Sequence, residues 1–322
     1  MSNDNQTISL RAEVPEDLAG NRLDQIAAKL FPDYSRARLQ EWIKSGQLTL
    51  DGVQCRPRDS ALAGAKLVLE AELEPIEEWV PEAIPLQIVH EDDDLMVINK
   101  PADLVVHPAV GHRQGTLVNG LLYYCPALES VPRAGIVHRL DKDTTGLMVV
   151  AKNLKSHHGL VQQLQARAVS RQYQAVVQGV MTAGGTVSAN LGRHPVHRIK
   201  RAVIEQGQEA VTHYRVLNRY RSHTHVQVNL ETGRTHQIRV HMAHLKYPLV
   251  GDPLYNSRLQ IPAASSEQLK QTLTNFKRQA LHASQLTLTH PITGADCVWE
   301  SALPADFSDL LQSLNLDRSN RE

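Results

Sequence analysis

The sequence predicts an α+β protein with two domains, a small one over residues 1–80 and a larger one over residues 81–322. Two observations support this class. Strand-like segments of alternating apolar and polar residues are interrupted by occasional helical ones without a regular rhythm, so we expect a mixed, largely antiparallel sheet in the second domain. An acidic segment with several prolines, EPIEEWVPEAIP, separates the two regions and is typical of a linker.

The first domain is predicted to be a compact module of two short helices and a small sheet over about residues 16–75. Apolar residues in RLDQIAAKLF recur at helical spacing. A second helix is predicted from an N-cap at Ser35 to Gly46, because glycine readily adopts the left-handed conformation that follows a helix. Asp51-Gly52 lies between alternating segments and predicts a tight hairpin. Several side chains give this module a basic edge: Arg36, Arg38, Lys44, Arg56 and Arg58.

The second domain is predicted mainly from alternation of apolar residues. Strands are expected at residues 86–99 (two strands joined by an acidic turn), 145–151, 171–179 and 226–230, and helices at 158–167 and 235–245. Residues 262–277 are polar and predict a loop or a short helix. The final ten residues are charged, and we expect them to fray.

Composition argues against several classes of protein. The hydrophobic fraction is 42%, and no apolar run is long enough to span a bilayer. The first residues lack the pattern of a secretory signal, so a cytoplasmic protein is expected. The three cysteines, Cys55, Cys125 and Cys297, are far apart and are interpreted as buried apolar residues in a reducing compartment. No His or Cys cluster has the spacing of a metal site, so metal dependence is not expected.

The distribution of charge differs from its sum. The formal net charge is zero, but residues 70–94 carry ten acidic side chains and no Lys or Arg. The rest of the chain then has 34 basic against 24 acidic residues, a net of +10. An acidic linker beside basic domains is compatible with a protein that meets phosphate groups, although an uneven linker composition alone would give the same pattern.

The segment VHRLDKDTTGL at residues 137–147 concentrates polar side chains in a turn directly before a buried strand. Such a position displays a reactive group rigidly. From residue types alone, Asp141 and Asp143 could be a metal pair, an acid–base pair or turn-forming aspartates.

Two further segments are candidates for a binding site. In ETGRTHQIRVHM at residues 231–242, Gly233 is predicted to end a strand and Thr235 to cap a helix whose first turn is flanked by Arg234 and Arg239. Such a helix start suits an anion, either an RNA phosphate or a carboxylate of the protein itself. Tyr173, on a predicted strand, is either ordinary packing or a ring on which a base stacks.

These segments resemble, in order, the motifs of the RluA-type pseudouridine synthases. HRLDKDTTGLMVVAK is similar to their catalytic motif, and five further segments match in register: NKPADLVVHP, RQY, GRTHQIRVHM, LKYPLVGDPLY and RQALHASQLTLTHPITG. YSRARLQEWIKSGQLTLDG resembles the S4 RNA-binding domain, which implies that Arg36 and Arg38 contact RNA phosphate. The similarity covers nearly the whole chain.

The resemblance implies a role for individual residues. It makes Asp141 the nucleophile, which would add to the base at C6, form an ester at C1′ or abstract a sugar proton; these routes remain open. It pairs Arg239 with this carboxylate, which favours the ionised form. It places Tyr173 on the uracil and Arg139 in the space left by the extruded base. The resemblance also assigns substrate binding to His138 and Ile238. Because many relatives carry a lysine before this tyrosine, Arg171 is given no catalytic role.

The resemblance also implies a substrate: uridine in the helix 69 stem-loop of 23S rRNA, free or within a precursor of the large ribosomal subunit. It implies catalysis by a cytoplasmic monomer with no cofactor and no metal. Two other functions remain possible from the residues. One is an RNA-binding protein without catalysis, and the other is a glycosidase or metal-dependent nuclease, which would need at least two placed carboxylates.

Overall fold

The computed structural model describes residues 7–32, 34, 36–72, 79–108, 114–256 and 258–319. The predicted N-cap Ser35 and the acidic linker residues 73–78 therefore lie outside the described residues. The chain divides into two compact units, Met1–Glu78 and Trp79–Glu322, and each unit is described by itself.

The first unit packs two helices on a three-stranded antiparallel sheet. Its elements are β1 (Thr7–Glu13), α1 (Leu23–Leu30), α2 (Arg36–Ser45), β2 (Leu48–Leu50) and β3 (Lys66–Glu72), with the strands in the order β1-β3-β2. The apolar stripes of the helices meet the sheet in one core, where several side chains are fully buried: Leu23, Ile26, Leu39, Ile43, Leu48, Leu67 and Leu69.

The predicted hairpin at Asp51-Gly52 is correct as a turn and wrong as a pair of strands. Leu50 and Val53 exchange backbone hydrogen bonds of 3.0 and 2.9 Å across the turn, and both turn residues have positive φ (50° and 78°). The chain after Val53 does not continue as a strand, and β2 pairs with β3 instead. The following residues include Pro57, which has no N–H to donate to a ladder.

The second unit is built on a mixed sheet of nine strands. Two more short strands form a separate pair. The strands are β4 (Ile88–Glu91), β5 (Leu95–Lys100), β6 (Thr145–Ala151), β7 (Ser170–Gln178), β8 (Gly185–Ser188), β9 (Leu191–Arg193), β10 (Arg201–Val203), β11 (Val211–Arg219), β12 (His223–Leu230), β13 (Leu281–Thr289) and β14 (Asp296–Glu300). The helices are α3 (Leu117–Tyr124), α4 (Leu154–Gln165), α5 (Gln237–His244), α6 (Glu267–Asn275) and α7 (Ala305–Ser319).

The strand order β4-β5-β6-β13-β7-β12-β11-β8, with β14 beside β13, is antiparallel at every junction except one. At that junction β6 and β13 run parallel through two residue pairs only, Thr145 with His282 and Gly146 with Ala283. The predicted α+β class with a mixed, largely antiparallel sheet is thus confirmed for this unit.

Helices cover both faces of the sheet. Ala175 and Val177 of β7 face the largest apolar core, which includes α3 and residues of α5, whereas Val176 faces the core beneath α6 and α7. This alternation is what a strand buried on both sides shows. Among the described residues, no helix combines the length and the apolar character needed to cross a bilayer.

Three smaller expectations are wrong. The cysteines are half-buried rather than buried. The N-cap of α5 is His236, at a φ of 59° and without a capping side chain, rather than Thr235. Residues 313–319 do not fray, because they belong to α7, which continues to Ser319 and buries Phe307, Leu310 and Leu314; residues 320–322 lie outside the described residues.

Candidate active site

The turn that carries Asp141 is held by two hydrogen bonds to its backbone carbonyls. The N–H of Thr144 donates to the carbonyl of Asp141 (3.0 Å), which closes the turn. The carbonyl of Lys142 accepts from Lys100 Nζ at 2.7 Å. Lys100 is 1% exposed and also donates to the carbonyls of Pro101 and Leu104, so its ammonium is fully used in fixing backbone. The nucleophile predicted from the sequence therefore stands on rigid support.

Glycine is required where this turn enters the sheet. Gly146 has a φ of 114°, and a Cβ there would lie 2.2 Å from the carbonyl oxygen of Ala283. This close approach is the parallel junction between β6 and β13. A side chain at residue 146 would push the two strands apart beside Asp141.

Arg239 joins Asp141 to a second carboxylate, Asp252. Its Nη1 donates to Asp141 Oδ2 at 2.9 Å, while Nε and Nη2 donate to the two oxygens of Asp252 at 2.7 and 2.9 Å. Burial alone would lower the pKa of Arg239, but the hydrogen bonds and charges of Asp252 and Asp141 outweigh it and raise the pKa above its ordinary value. The guanidinium is thus a permanent cation, aimed at Asp141 by a fork that only arginine provides.

Asp252 is the residue of this cluster that sequence reasoning did not single out. It is 2% exposed, and its Oδ1 also accepts the N–H groups of Leu254 and Tyr255. The signal in the sequence was present, since Asp252 lies in the matching segment LKYPLVGDPLY. Of the two kinds of anion considered for Arg239, an RNA phosphate or a carboxylate of the protein, the structure shows carboxylates of the protein.

The second oxygen of Asp141 is unused by the protein. Its Oδ1 lies 3.9 Å from His236 Nε2, beyond hydrogen-bond distance, and accepts no hydrogen bond from the described residues. Burial lowers the pKa of His236, against the opposing charge of Asp141, so this imidazole is mainly neutral at pH 7. Asp141 itself is 16% exposed. One carboxylate oxygen is fixed and the other is free to react.

A cleft of about 870 Å³ opens at Asp141. A cavity of this size accommodates a nucleotide. Tyr173 and Ile238 line it as parts of the main apolar core, at 5% and 4% exposure. Burial raises the pKa of the Tyr173 phenol, with the charge of Asp141 acting in the same direction, so the phenol is neutral at pH 7. The structure brings these two predicted residues together with Asp141 and Arg239.

His138 and Arg139 line the same cleft. Burial, assisted by the charge of Arg171, lowers the pKa of His138 to about 3. Its Nε2 accepts the N–H of Val149 at 3.1 Å, so its proton is on Nδ1, which is buried and has no partner among the described residues. The Arg139 side chain is exposed.

Arg171, to which the sequence analysis gave no role, also lines this cleft. It is 8% exposed, and its Nε has no hydrogen-bond partner among the described residues. A buried arginine beside the nucleophile is the second feature that the motif comparison missed.

In the first unit, Arg36 is already paired. Its Nε and Nη2 donate to Asp24 Oδ2 at 3.0 and 2.7 Å, and Arg22 and Gln40 bind the same buried carboxylate. Arg36 keeps 46% of its side chain exposed. Arg38 stacks on Trp42, with its guanidinium carbon 5.5 Å from the ring centroid.

One group of side chains has the composition of a metal site but not its chemistry. Asp92, Asp94 and His290 place their ligand atoms within 4.8 Å of one another. His290 Nδ1 accepts the N–H groups of Ile292 and Thr293, so its proton is on Nε2 and faces Asp92 Oδ2 at 3.2 Å. For Nε2 to bind a metal, its proton would have to move to Nδ1, which already accepts two N–H groups. We interpret this group as a structural hydrogen-bond cluster.

Comparison with known proteins places this geometry in a family. A family model described as RNA pseudouridylate synthase matches residues 94–244. The ribosomal large subunit pseudouridine synthase D of Pseudomonas aeruginosa is 62% identical over 311 residues, 97% of each chain. The protein of the same name from Escherichia coli strain K12 is 50% identical over 313 residues, which cover 97% of this chain and 96% of that protein.

A solved structure agrees. The structure of Human RNA Pseudouridylate Synthase Domain Containing 4 is similar with a TM-score of 0.56 and 29% identity, covering 71% of this chain and 93% of that one. The resemblance to the RluA-type enzymes is thereby confirmed. The chain belongs to the family of RNA pseudouridylate synthases.

Proposed function

We propose that this enzyme isomerises uridine to pseudouridine in 23S rRNA of the large ribosomal subunit, at the helix 69 stem-loop, with Asp141 as its nucleophile. Relatives up to 62% identical are named for action on the ribosomal large subunit, which supports the substrate class. The observation that supports the mechanism best is the asymmetric carboxylate of Asp141, with Oδ2 bound to Arg239 and Oδ1 free.

The reaction breaks the bond between C1′ and N1 of uridine, rotates the uracil and joins C1′ to C5. A nucleophile must hold one fragment during the rotation. Oδ2 of Asp141 is bound to the Arg239 cation, so Oδ1 is available to attack C6 or C1′ or to remove a sugar proton. The ion pair fixes the direction of the carboxylate. This electrostatic orientation lowers the barrier more in a cleft that excludes water than it would in water.

The other lining residues have roles in holding the base. The Tyr173 ring packs against the uracil, and Ile238 adds apolar contact. Arg139, exposed at the cleft, fills the space that the extruded base leaves in the RNA, which offsets part of the few kcal/mol that extrusion costs. His138 offers an Nδ1–H donor that has no partner among the residues that the structure describes.

The first unit is proposed to be an S4-like RNA-binding domain. Its exposed basic side chains would bind phosphate groups, with Arg36 and Arg38 on α2 as the residues named by the resemblance. A cytoplasmic location and a monomeric state complete the proposal.

The decisive experiment replaces Asp141 by Asn. We expect Asp141→Asn to bind 23S rRNA as the wild type does and to lose pseudouridine formation by about 1,000-fold or more, because an amide is not a nucleophile here. Carbodiimide modification followed by primer extension reads the product at each uridine. Stops in helix 69 should appear with the wild type and be missing with the variant.

The matched control is Asp143→Asn in the same turn, which removes the second carboxylate that an acid–base pair or a metal pair would need. We expect this variant to stay active. Equal loss in both variants, or loss of wild-type activity in EDTA, would contradict the single-nucleophile mechanism. Stops that appear only outside helix 69 would contradict the proposed substrate.

A further inference from the structure

Arg171 is a buried cation without an anion. Among the described residues of the second unit, three arginines are buried, and two of them are paired: Arg239 with Asp252 and Asp141, and Arg278 with Asp306 at 2.7 Å. The side chain of Arg171, on β7, has no ion pair and no hydrogen bond among the described residues, and its Nε is buried.

This arrangement is costly for the free protein. A guanidinium cannot lose its proton to escape burial. Removing a cation from water without a partner costs several kcal/mol, so buried charges are normally paired. An arginine that stays unpaired in the free protein is therefore suited to an anion that arrives from outside.

The position of Arg171 indicates where this anion lies. Arg171 lines the same cleft as Asp141, and it shares the buried face of β7 with Tyr173, two residues or ~7 Å along the strand. A single nucleotide can bridge this distance. When the uracil packs on Tyr173, the backbone of the same or the adjacent nucleotide passes Arg171.

The protein makes room for this guanidinium. A Cβ at Gly233 would lie 2.6 Å from Arg171 Nη1, so any other residue at this position would displace the cation. Asp141, the acidic group closest to the reaction, is already bound by Arg239. The place is open to an anion of the substrate.

We infer that Arg171 binds a backbone phosphate within one nucleotide of the target uridine. RNA carries its formal negative charge on phosphate, and the planar guanidinium fork binds two phosphate oxygens at once. This inference rests on the proposed function, since it places the phosphate in the cleft of Asp141. It adds a phosphate subsite to that function.

The first test is a cycle between Arg171→Met and single neutral linkages in the RNA. The probe is a synthetic stem-loop of helix 69 sequence in which one linkage at a time is a 2′-deoxy methylphosphonate, compared with the same 2′-deoxy phosphate. We expect one linkage flanking the target uridine to weaken binding of the wild type ~10- to 100-fold. With Arg171→Met, binding of the unmodified stem-loop falls by a similar factor, and neutralising that linkage has no further effect.

The second test uses salt and heat. Binding of intact 23S rRNA transcript by Arg171→Met should depend less on salt, with the slope of log Kd against log salt reduced by about 0.7. The Tm of the free variant should rise, because an unpaired buried charge is removed. Arg215→Met, which removes an exposed arginine of β11 that does not line the cleft, should leave the linkage pattern and Tm unchanged.

A third variant separates charge from position. Gly233→Ala keeps Arg171 but displaces its guanidinium, so the same linkage should lose its effect while the net charge stays constant.

The inference would be overturned if the losses of binding from Arg171→Met and from a neutral linkage add at every linkage, the salt slope is unchanged and the Tm of Arg171→Met is lower. Arg171 would then have a structural role. A wild-type protein that modifies no uridine in the stem-loop or in 23S rRNA would instead contradict the proposed function. The salt and Tm results judge Arg171 in either case.

Discussion

Arg239 donates three hydrogen bonds to two carboxylates, two to Asp252 and one to Asp141, and this division sets the character of the site. Asp252 takes the bidentate edge and is fully enclosed, whereas Asp141 takes a single donor and keeps an oxygen free. Two carboxylates against one guanidinium leave a net negative charge at the cluster. Asp252 is therefore a positioning residue, which acts on the reaction through Arg239.

We expect Asp252→Asn to reduce kcat about 10- to 100-fold with little change in KM, because the direction of Arg239 and so of Asp141 is lost while the RNA contacts remain. The Tm should fall as well, since a buried guanidinium loses its main partner. Single-turnover kinetics with rRNA and thermal melting measure both effects. A purely structural role for Asp252 would lower the Tm and leave single-turnover rates near the wild-type value below the melting range.

At the scale of single residues, the sequence indicated which residues belong to the candidate site better than it indicated what surrounds each of them. Asp141, Tyr173 and Arg239 were proposed as site residues because they stand in motifs. Arg171 was given no role because many relatives carry a lysine there. It nevertheless lies on the same buried face of a predicted strand as Tyr173 and Ala175. Which cation is paired depends on contacts between distant segments, and one sequence does not show them.

At the scale of elements, the sequence correctly predicted five strands in which apolar and polar residues alternate or apolar residues form a continuous run: β4, β5, β6, β7 and β12. The short strands β8 to β10 carry too few apolar residues to show a period. The helix α7 was missed because its charged ending obscured apolar side chains at 307, 310 and 314, which are spaced for one helix face.

The turn between β4 and β5 is stabilised by Asp92. Burial favours the neutral acid, but hydrogen bonds from the N–H groups of Leu95 and Asp94 and from His90 and His290 lower the pKa of Asp92 to about 2. In the unfolded chain this pKa is near its ordinary value. Its charge therefore stabilises the fold above about pH 4, and this stabilisation is lost as the pH falls towards 2.

We expect Asp92→Asn to lower the free energy of unfolding at pH 7 by about 1–2 kcal/mol, a value reduced for the 33% exposure of this side chain. Urea unfolding at pH 7 and at steps below pH 4 measures the difference from the wild type, which should shrink as the medium becomes more acidic. The exposed neighbour Asp93→Asn serves as the control and should change little. A difference that is independent of pH would contradict the assignment.

The whole molecule has separate hydrophobic cores. Among the described residues, each apolar cluster draws its members from one unit only. The composition and the acidic linker predicted a boundary between two domains at residue 80, close to the observed one at residue 78. The sequence motifs gave no information on which residues form the core of each domain. The side chains proposed to be catalytic all belong to the second unit, Trp79–Glu322.

We expect a protein of residues 79–322 to fold alone and to form pseudouridine at saturating RNA, with a KM raised on the order of 10-fold and a weaker dependence on salt, because phosphate contacts of the first unit are lost. Residues 1–78 alone should bind rRNA without modifying it. Melting curves, filter binding and primer extension test these statements. An unaltered KM would contradict an RNA-binding role for the first unit.

The parallel junction of β6 and β13 has a consequence for reactivity. Asp141 enters the sheet on the β6 side, while Arg239, Tyr173 and Asp252 are carried by the chain on the β13 side, and two residue pairs connect the halves there. The residues of the candidate site thus come from both sides of the junction that has the fewest residue pairs in the sheet. A small separation of β6 from β13, too small to unfold either half of the sheet, would move Asp141 away from Arg239. Activity would then be lost while most backbone hydrogen bonds of the sheet stay intact.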